Sequence, residues 1–234
     1  SYFVPMGVTV SGNYAYMASS GLKIIDISNP SYPTLAGSHY SNRQARGVAV
    51  SGHHSFIASK GGLQIIDISE PKYTTLAGSL DIGNTNGVTV FGNYAYMAAS
   101  WLGLLIIDIS NPFSPTLAGL YDTSGQAYDV TVSGNYAYVG TGPGLQIIDI
   151  SDPTNPTLAG SYDTPGSANG VTVFGNYAYV GAGSDLQIID ISDPTNPTLA
   201  ESYDTIGSAR GVTVSGNYAF VADYDSVLQI IDLG

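Results

Sequence analysis

The sequence predicts an all-β fold, a six-bladed β-propeller of four-stranded antiparallel blades, and three observations predict it. First, Gly7-Val8-Thr9-Val10, Gly47-Val48-Ala49-Val50, Gly87-Val88-Thr89-Val90, Asp129-Val130-Thr131-Val132, Gly170-Val171-Thr172-Val173 and Gly211-Val212-Thr213-Val214 open six copies, spaced 40, 40, 42, 41 and 41 residues apart. A fixed period of this size belongs to propellers and solenoids. Second, the copies show period-two alternation and no 3.6 period. Third, turn residues cut each complete copy into four short runs, the strand number of a propeller blade. The copies follow one another without a linker, so residues 1–234 read as a single domain with repeats starting near 7, 47, 87, 129, 170 and 211.

The fifth copy shows how each strand arises. Val171-Thr172-Val173 is strand a, and Gly175-Asn176 is a tight-turn pair whose residues tolerate positive φ. Tyr177-Ala178-Tyr179-Val180 then alternates large and small as strand b, a pattern that lets stacked blades interdigitate. Leu186-Gln187-Ile188-Ile189-Asp190-Ile191 is apolar on both alternation phases, so strand c is covered on both faces. Two prolines in Ser192-Asp193-Pro194-Thr195-Asn196-Pro197 end it. Thr198 to Tyr203 forms a weaker strand d. The sixth copy stops at Asp232-Leu233-Gly234 without such a strand, while Ser1 to Met6 stand where one would end. The expectation is a ring closed by residues 1–6 as the outer strand of the blade begun by residues 211–232, which removes exposed edges.

Leu-x-Ile-Ile-Asp recurs at Leu22–Asp26, Leu63–Asp67, Leu104–Asp108, Leu145–Asp149, Leu186–Asp190 and Leu228–Asp232. With these six in-phase motifs the chain resembles the LVIVD repeat family. That resemblance implies a β-propeller and a bacterial or archaeal surface or secreted protein, hence an extracellular or cell-surface location, and brings no catalytic motif.

Composition narrows the function classes. Six Lys and Arg stand against 18 Asp and Glu, a net charge of −12, which repels phosphate backbones and anionic lipid and argues against nucleic acid as a partner. No stretch reaches the roughly 18 apolar residues of a membrane span. Without cysteine there are no disulfides, thiol nucleophiles or zinc–thiolate sites. The chain opens at Ser1 with no leader pattern, as a mature or excised domain would.

Comparing the copies separates scaffold from individuality. The a–b turns and the c–d loops are nearly uniform and share one end of the blades. The b–c loops, among them Ala99-Ser100-Trp101-Leu102 and Asp223-Tyr224-Asp225-Ser226, vary, as do the d–a connections. By chain direction these share the opposite end, the expected ligand rim. The residue ahead of each strand a falls near the channel mouth on that rim: Met6, Arg46, Asn86, Tyr128, Asn169 and Arg210. This ring makes a polar site, or it ties neighbouring blades together. Asp129 replaces the glycine of the other copies, as a placed carboxylate or as drift. Trp101, Tyr128 and Tyr224 suit sugar stacking or inter-blade packing.

The aspartates of the Leu-x-Ile-Ile-Asp motif recur beside a proline loop, so they are expected to accept backbone N–H groups there rather than act in catalysis. Asp185, Asp223 and Asp225 offer oxygen ligands for calcium, although no twelve-residue calcium loop is present and no other metal or cofactor is implied. No nucleophile elbow, phosphate loop or zinc-protease motif occurs. The sequence therefore points to a non-catalytic binding or structural module for a protein or glycan partner. The alternatives are a self-associating extracellular structural protein and an enzyme at the channel mouth built on Arg46, Arg210, Tyr128 and Asp129.

Overall fold

The computed structural model describes residues 6–224 and 227–234 of the chain. It is all-β, with six blades of the β-propeller type. Each sheet has its strands in chain order, five sheets with four strands and the last with three among the described residues. The first blade comprises Gly7–Ser11, Tyr14–Ala18, Gly21–Asp26 and Thr34–Tyr40. The fifth comprises Ala168–Phe174, Tyr177–Ala182, Asp185–Asp190 and Thr198–Asp204, and the sixth Ala209–Ser215, Tyr218–Asp223 and Val227–Asp232. The expected closing strand of residues 1–6 lies outside the described residues except for Met6, whose N–H bonds to Ala18 O of the first blade at 3.1 Å. The residues group into two compact units, Ser1–Ala99 with Ile106–Ala118, and Ser100–Leu105 with Gly119–Gly234.

The two-residue a–b turns take the form their sequences dictate: Gly134 and Gly175 have φ of 58° and 60°, the left-handed values a tight hairpin needs. The residue after strand c returns its N–H to the asparagine of the same blade's turn, as in Ile150 to Asn135 O at 2.8 Å and Ile191 to Asn176 O at 2.9 Å. The recurrent aspartates sit beside it as expected. Asp26, Asp108, Asp149 and Asp190 each accept the N–H of the serine two residues on, at 2.8–2.9 Å. Asp67 also accepts the Ser69 hydroxyl at 2.7 Å, and Asp232 accepts the Gly234 N–H at 3.1 Å. Hydrogen bonds from Ser69 hold the Asp67 carboxyl below its usual range, and those from Ser192 do the same for Asp190.

The core lies between consecutive blades. Tyr16, Leu22 and Ile24 of the first are buried with Val48, Ile57 and Ile66 of the second, and Tyr179, Leu186 and Ile188 of the fifth with Ala209, Ala219 and Val221 of the sixth. Strand c thus meets its own sheet's neighbour on one phase and serves both of its sheet's faces, which is why it is apolar on both phases. Strand d carries a bulge at every c–d pairing given: the register skips one residue between Ile147 and Ile148, and between Ile188 and Ile189.

Candidate functional site

The variable b–c loops and d–a connections lie together at one end of each blade, bonded to each other. Ala45 N–H reaches Ser19 O at 3.0 Å, Thr164 N–H reaches Pro143 O at 3.1 Å, and Ala209 N–H reaches Gly183 O at 2.8 Å.

The start of strand a holds a feature no local pattern announces. Pairing of strands a and b jumps from Ala45 to Gly47, from Ala127 to Asp129, from Ala168 to Gly170 and from Ala209 to Gly211. Arg46, Tyr128, Asn169 and Arg210 are therefore the extra residues of four equivalent β-bulges, a device that re-aims a side chain out of the ladder. Asn86 immediately precedes its strand, and its N–H bonds to Ala98 O at 2.8 Å.

In the first unit, Arg46 Nη1 donates to Asn86 Oδ1, joining the second blade to the third. The Arg46 Nε is buried with no hydrogen-bond partner among the described residues, which leaves a donor suited to an anionic or carbonyl group. Beside the first blade's b–c loop, a cleft of about 100 Å³ is lined by Ser19, Lys23, His39 and Tyr40 among others.

In the second unit, Asn169 Nδ2 donates to Ala209 O at 3.3 Å, tying the fifth blade to the sixth. The half-buried Tyr128 occupies the fourth blade's bulge. The Arg210 guanidinium stands 5.8 Å from the ring centre of Tyr224, within cation–π range. Tyr224 is 77% exposed and Trp101 74% exposed. Trp101 rides a turn in which Gly103 N–H returns to Ser100 O at 3.3 Å. That turn is anchored by Ala127 N–H on Ser100 O at 2.8 Å and by Gln126 Nε2 on Ser100 Oγ at 2.7 Å. Trp101 and Tyr224 face outward and are not packed between blades.

Asp129 has a structural partner. At three of the equivalent glycines a side chain would crowd the next blade, since a Cβ on Gly7 would stand 2.6 Å from Arg46 O, one on Gly47 2.9 Å from Asn86 O and one on Gly170 2.7 Å from Arg210 O. In the fourth blade the carboxylate reaches forward and accepts Val171 N–H at 3.1 Å. Burial of the carboxyl group raises its pKa to about 6, outweighing the lowering by the N–H groups of Val171 and Val130. A carboxyl whose folded pKa exceeds the unfolded value of about 3.9 stabilises the fold below pH 4 and loses that contribution as pH rises through about 6. Asp129→Asn is therefore expected to match the wild type at pH 4 and to exceed it by about 2 kcal/mol at neutral pH. Urea unfolding at both pH values checks this, and equal stability at neutral pH would refute it.

The calcium expectation meets occupied carboxylates. Asp185 accepts Gln187 Nε2 at 3.3 Å, and the buried Asp223 accepts Gly207 N–H at 3.1 Å, while Asp225 lies outside the described residues. Among the described residues no group of three or more acidic or histidine side chains could hold a metal ion, and no helix is long and apolar enough to cross a membrane.

One rim residue escaped the sequence reading. Ile206, 83% exposed, has φ of 68°, a costly conformation for a β-branched residue. Its N–H is held by Asp204 Oδ1 at 2.8 Å. The signal was present: Ile206 replaces Pro165 of the preceding copy, one of eight differences between two copies that match at 33 of 41 positions. A shallow hollow of about 310 Å³ lined by Phe174, Tyr177, Tyr179 and Leu233 lies at the uniform end and holds only scaffold residues.

The LVIVD repeat model matches six consecutive segments, residues 5–40, 42–81, 82–123, 124–164, 165–205 and 206–233. Among solved structures, a protein from Lactobacillus plantarum is similar with a TM-score of 0.87 at 13% identity, over 97% of this chain and 80% of its own. A functionally unknown protein from Desulfotomaculum acetoxidans DSM 771 gives 0.81 at 13% identity, over 99% and 83%. A chain in the nidogen/laminin complex gives 0.69 at 12% identity, over 93% and 88%. At such identities the likeness is one of fold. No curated protein matches the chain.

Proposed function

We propose that this chain, which belongs to the LVIVD repeat family, is a non-catalytic binding module that engages a protein or glycan partner at the cell surface or outside the cell. The contacting end is that of the b–c and d–a loops. The observation that carries the reading is the contrast between the two ends of the blades. The a–b and c–d turns repeat almost unchanged, whereas the other end carries Trp101, Ile206 and Tyr224 exposed, with Arg210 set against Tyr224. Exposed aromatic residues and arginine are the side chains that dominate binding energy at interfaces, and aromatic faces also suit sugars. The similar fold in the solved nidogen/laminin complex supports a partner-binding role. The carboxylate of Asp129 is engaged by backbone N–H groups, which weighs against its service as a general base.

Screening the full chain on protein and glycan arrays identifies the partner class. Trp101→Ala and Tyr224→Ala are each expected to weaken the captured partner about tenfold or more, with the melting temperature unchanged because both side chains are exposed. Unaltered affinity in both variants would move the site elsewhere.

A further inference from the structure

We infer that Ile206 is the apolar anchor of the rim, and that the partner it fits is a protein whose surface offers an apolar pocket bordered by a carboxylate. This rests on the rim reading of the function and narrows its partner from a protein or glycan to a protein.

Ile206 lies on the d–a connection that leads into the sixth blade. The same position in three other connections is held by Asn42, Ser124 and Pro165, which are exposed as well. Exposure therefore comes with the position. Left-handed backbone does not. Neither Asn42 nor Ser124 has a positive φ, and its ring holds Pro165 near a φ of about −65°. The preceding copy reads Asp-Thr-Pro-Gly-Ser-Ala over residues 163–168 where this one reads Asp-Thr-Ile-Gly-Ser-Ala over 204–209, so the connection closes elsewhere without strain. With φ of 68°, Ile206 carries a strain that the turn does not require, and for a β-branched residue this region is a true outlier.

The surroundings hold it there. Asp204 Oδ1 accepts the Ile206 N–H at 2.8 Å. On one side the fully buried Thr205 donates its N–H and its hydroxyl to Ser184 O at 2.7 and 2.9 Å, while its carbonyl accepts Gln229 Nε2. On the other, Gly207 N–H goes to the buried Asp223 carboxylate at 3.1 Å, and Ser208 O accepts the Tyr224 N–H at 3.0 Å. The exposed side chain thus stands on a fixed pedestal, and a partner that covers it orders little that was free.

The chemistry of the side chain selects the partner. A branched alkyl group has no flat face to stack on a sugar ring and no group to bond its hydroxyls. It gains by leaving water for an apolar pocket, which a protein surface supplies. Arg210 is exposed and set against Tyr224, and among the described residues it pairs with no carboxylate. It stays unpaired in a chain with 18 Asp and Glu against 6 Lys and Arg. The carboxylate that suits this guanidinium is therefore the partner's.

The full chain, Ile206→Asn and Ile206→Gly are compared by melting temperature and by affinity for a protein captured on the protein array. Asparagine and glycine both accept the left-handed region. Both variants are expected to melt about 2 to 4 °C higher than the wild type and to bind the captured protein about tenfold or more weakly. A gain in stability with a loss of binding separates an anchor from a damaged fold. Unchanged affinity overturns the proposal, as does a melting temperature that fails to rise, or a wild type that captures no protein whether or not it captures a glycan. Trp101→Ala and Tyr224→Ala, measured alongside, keep the two readings apart. If they weaken binding while the Ile206 variants do not, the rim stands and the anchor falls; if none of the four changes affinity, both fall.

Discussion

Ile188→Ala is expected to lower the unfolding free energy by about 2 to 5 kcal/mol, while the same change at Ile230, in dilute solution, costs a small fraction of that. The two isoleucines hold the same place in Leu-Gln-Ile-Ile-Asp and the same place in strand c. Ile188 is buried against Ala209, Ala219 and Val221 of the sixth blade, so truncation removes apolar contact and leaves a cavity. Ile230 is exposed, so truncation removes little that was hidden from water. Intrinsic strand propensity changes equally in both variants, and the difference reports inter-blade packing alone. Urea unfolding of the two proteins measures it, and equal losses would place the packing within blades.

Gly119→Ala is expected to cost about 2 to 4 kcal/mol, a large effect for one methyl group. Gly119 has no positive φ, so its conformation does not demand glycine. Space does. A Cβ there would strike the Pro153 carbonyl of the fourth blade's c–d loop, and Gly37, Gly78 and Gly160 meet the carbonyls of Pro71, Pro112 and Pro194 in the same way. The obstacle is backbone, which cannot swing aside as a flexible side chain would. The fifth blade has Glu201 at this position, exposed and accepting the Tyr203 hydroxyl at 2.5 Å. Glu201→Gly is accordingly expected to shift stability by less than about 1 kcal/mol. Thermal unfolding of both variants decides the matter, and a silent Gly119→Ala would mean that the loop yields.

Much of the candidate site was legible before any coordinates. Chain direction put the b–c and d–a loops at one end, and the loops there are indeed bonded to one another. Arg46, Asn86 and Asn169, taken from their place ahead of strand a, do tie one blade to the next. The pairing of Arg210 with Tyr224 was not legible, since it depends on where a bulge aims one side chain and a loop the other.

The division follows from the range of the forces involved. Strand positions, tight turns, blade number and the role of the recurrent aspartates are set by residues within a few positions of one another, and the sequence by itself determined them. The bulges at Arg46, Tyr128, Asn169 and Arg210, the forward reach of Asp129 to Val171 and the steric demand at Gly119 each depend on a partner strand or on a neighbouring blade about 40 residues away. So does the contrast between a covered Ile188 and an exposed Ile230, which identical motifs cannot reveal. These only the tertiary structure decided, because burial belongs to the neighbour a residue meets and not to the motif that carries it.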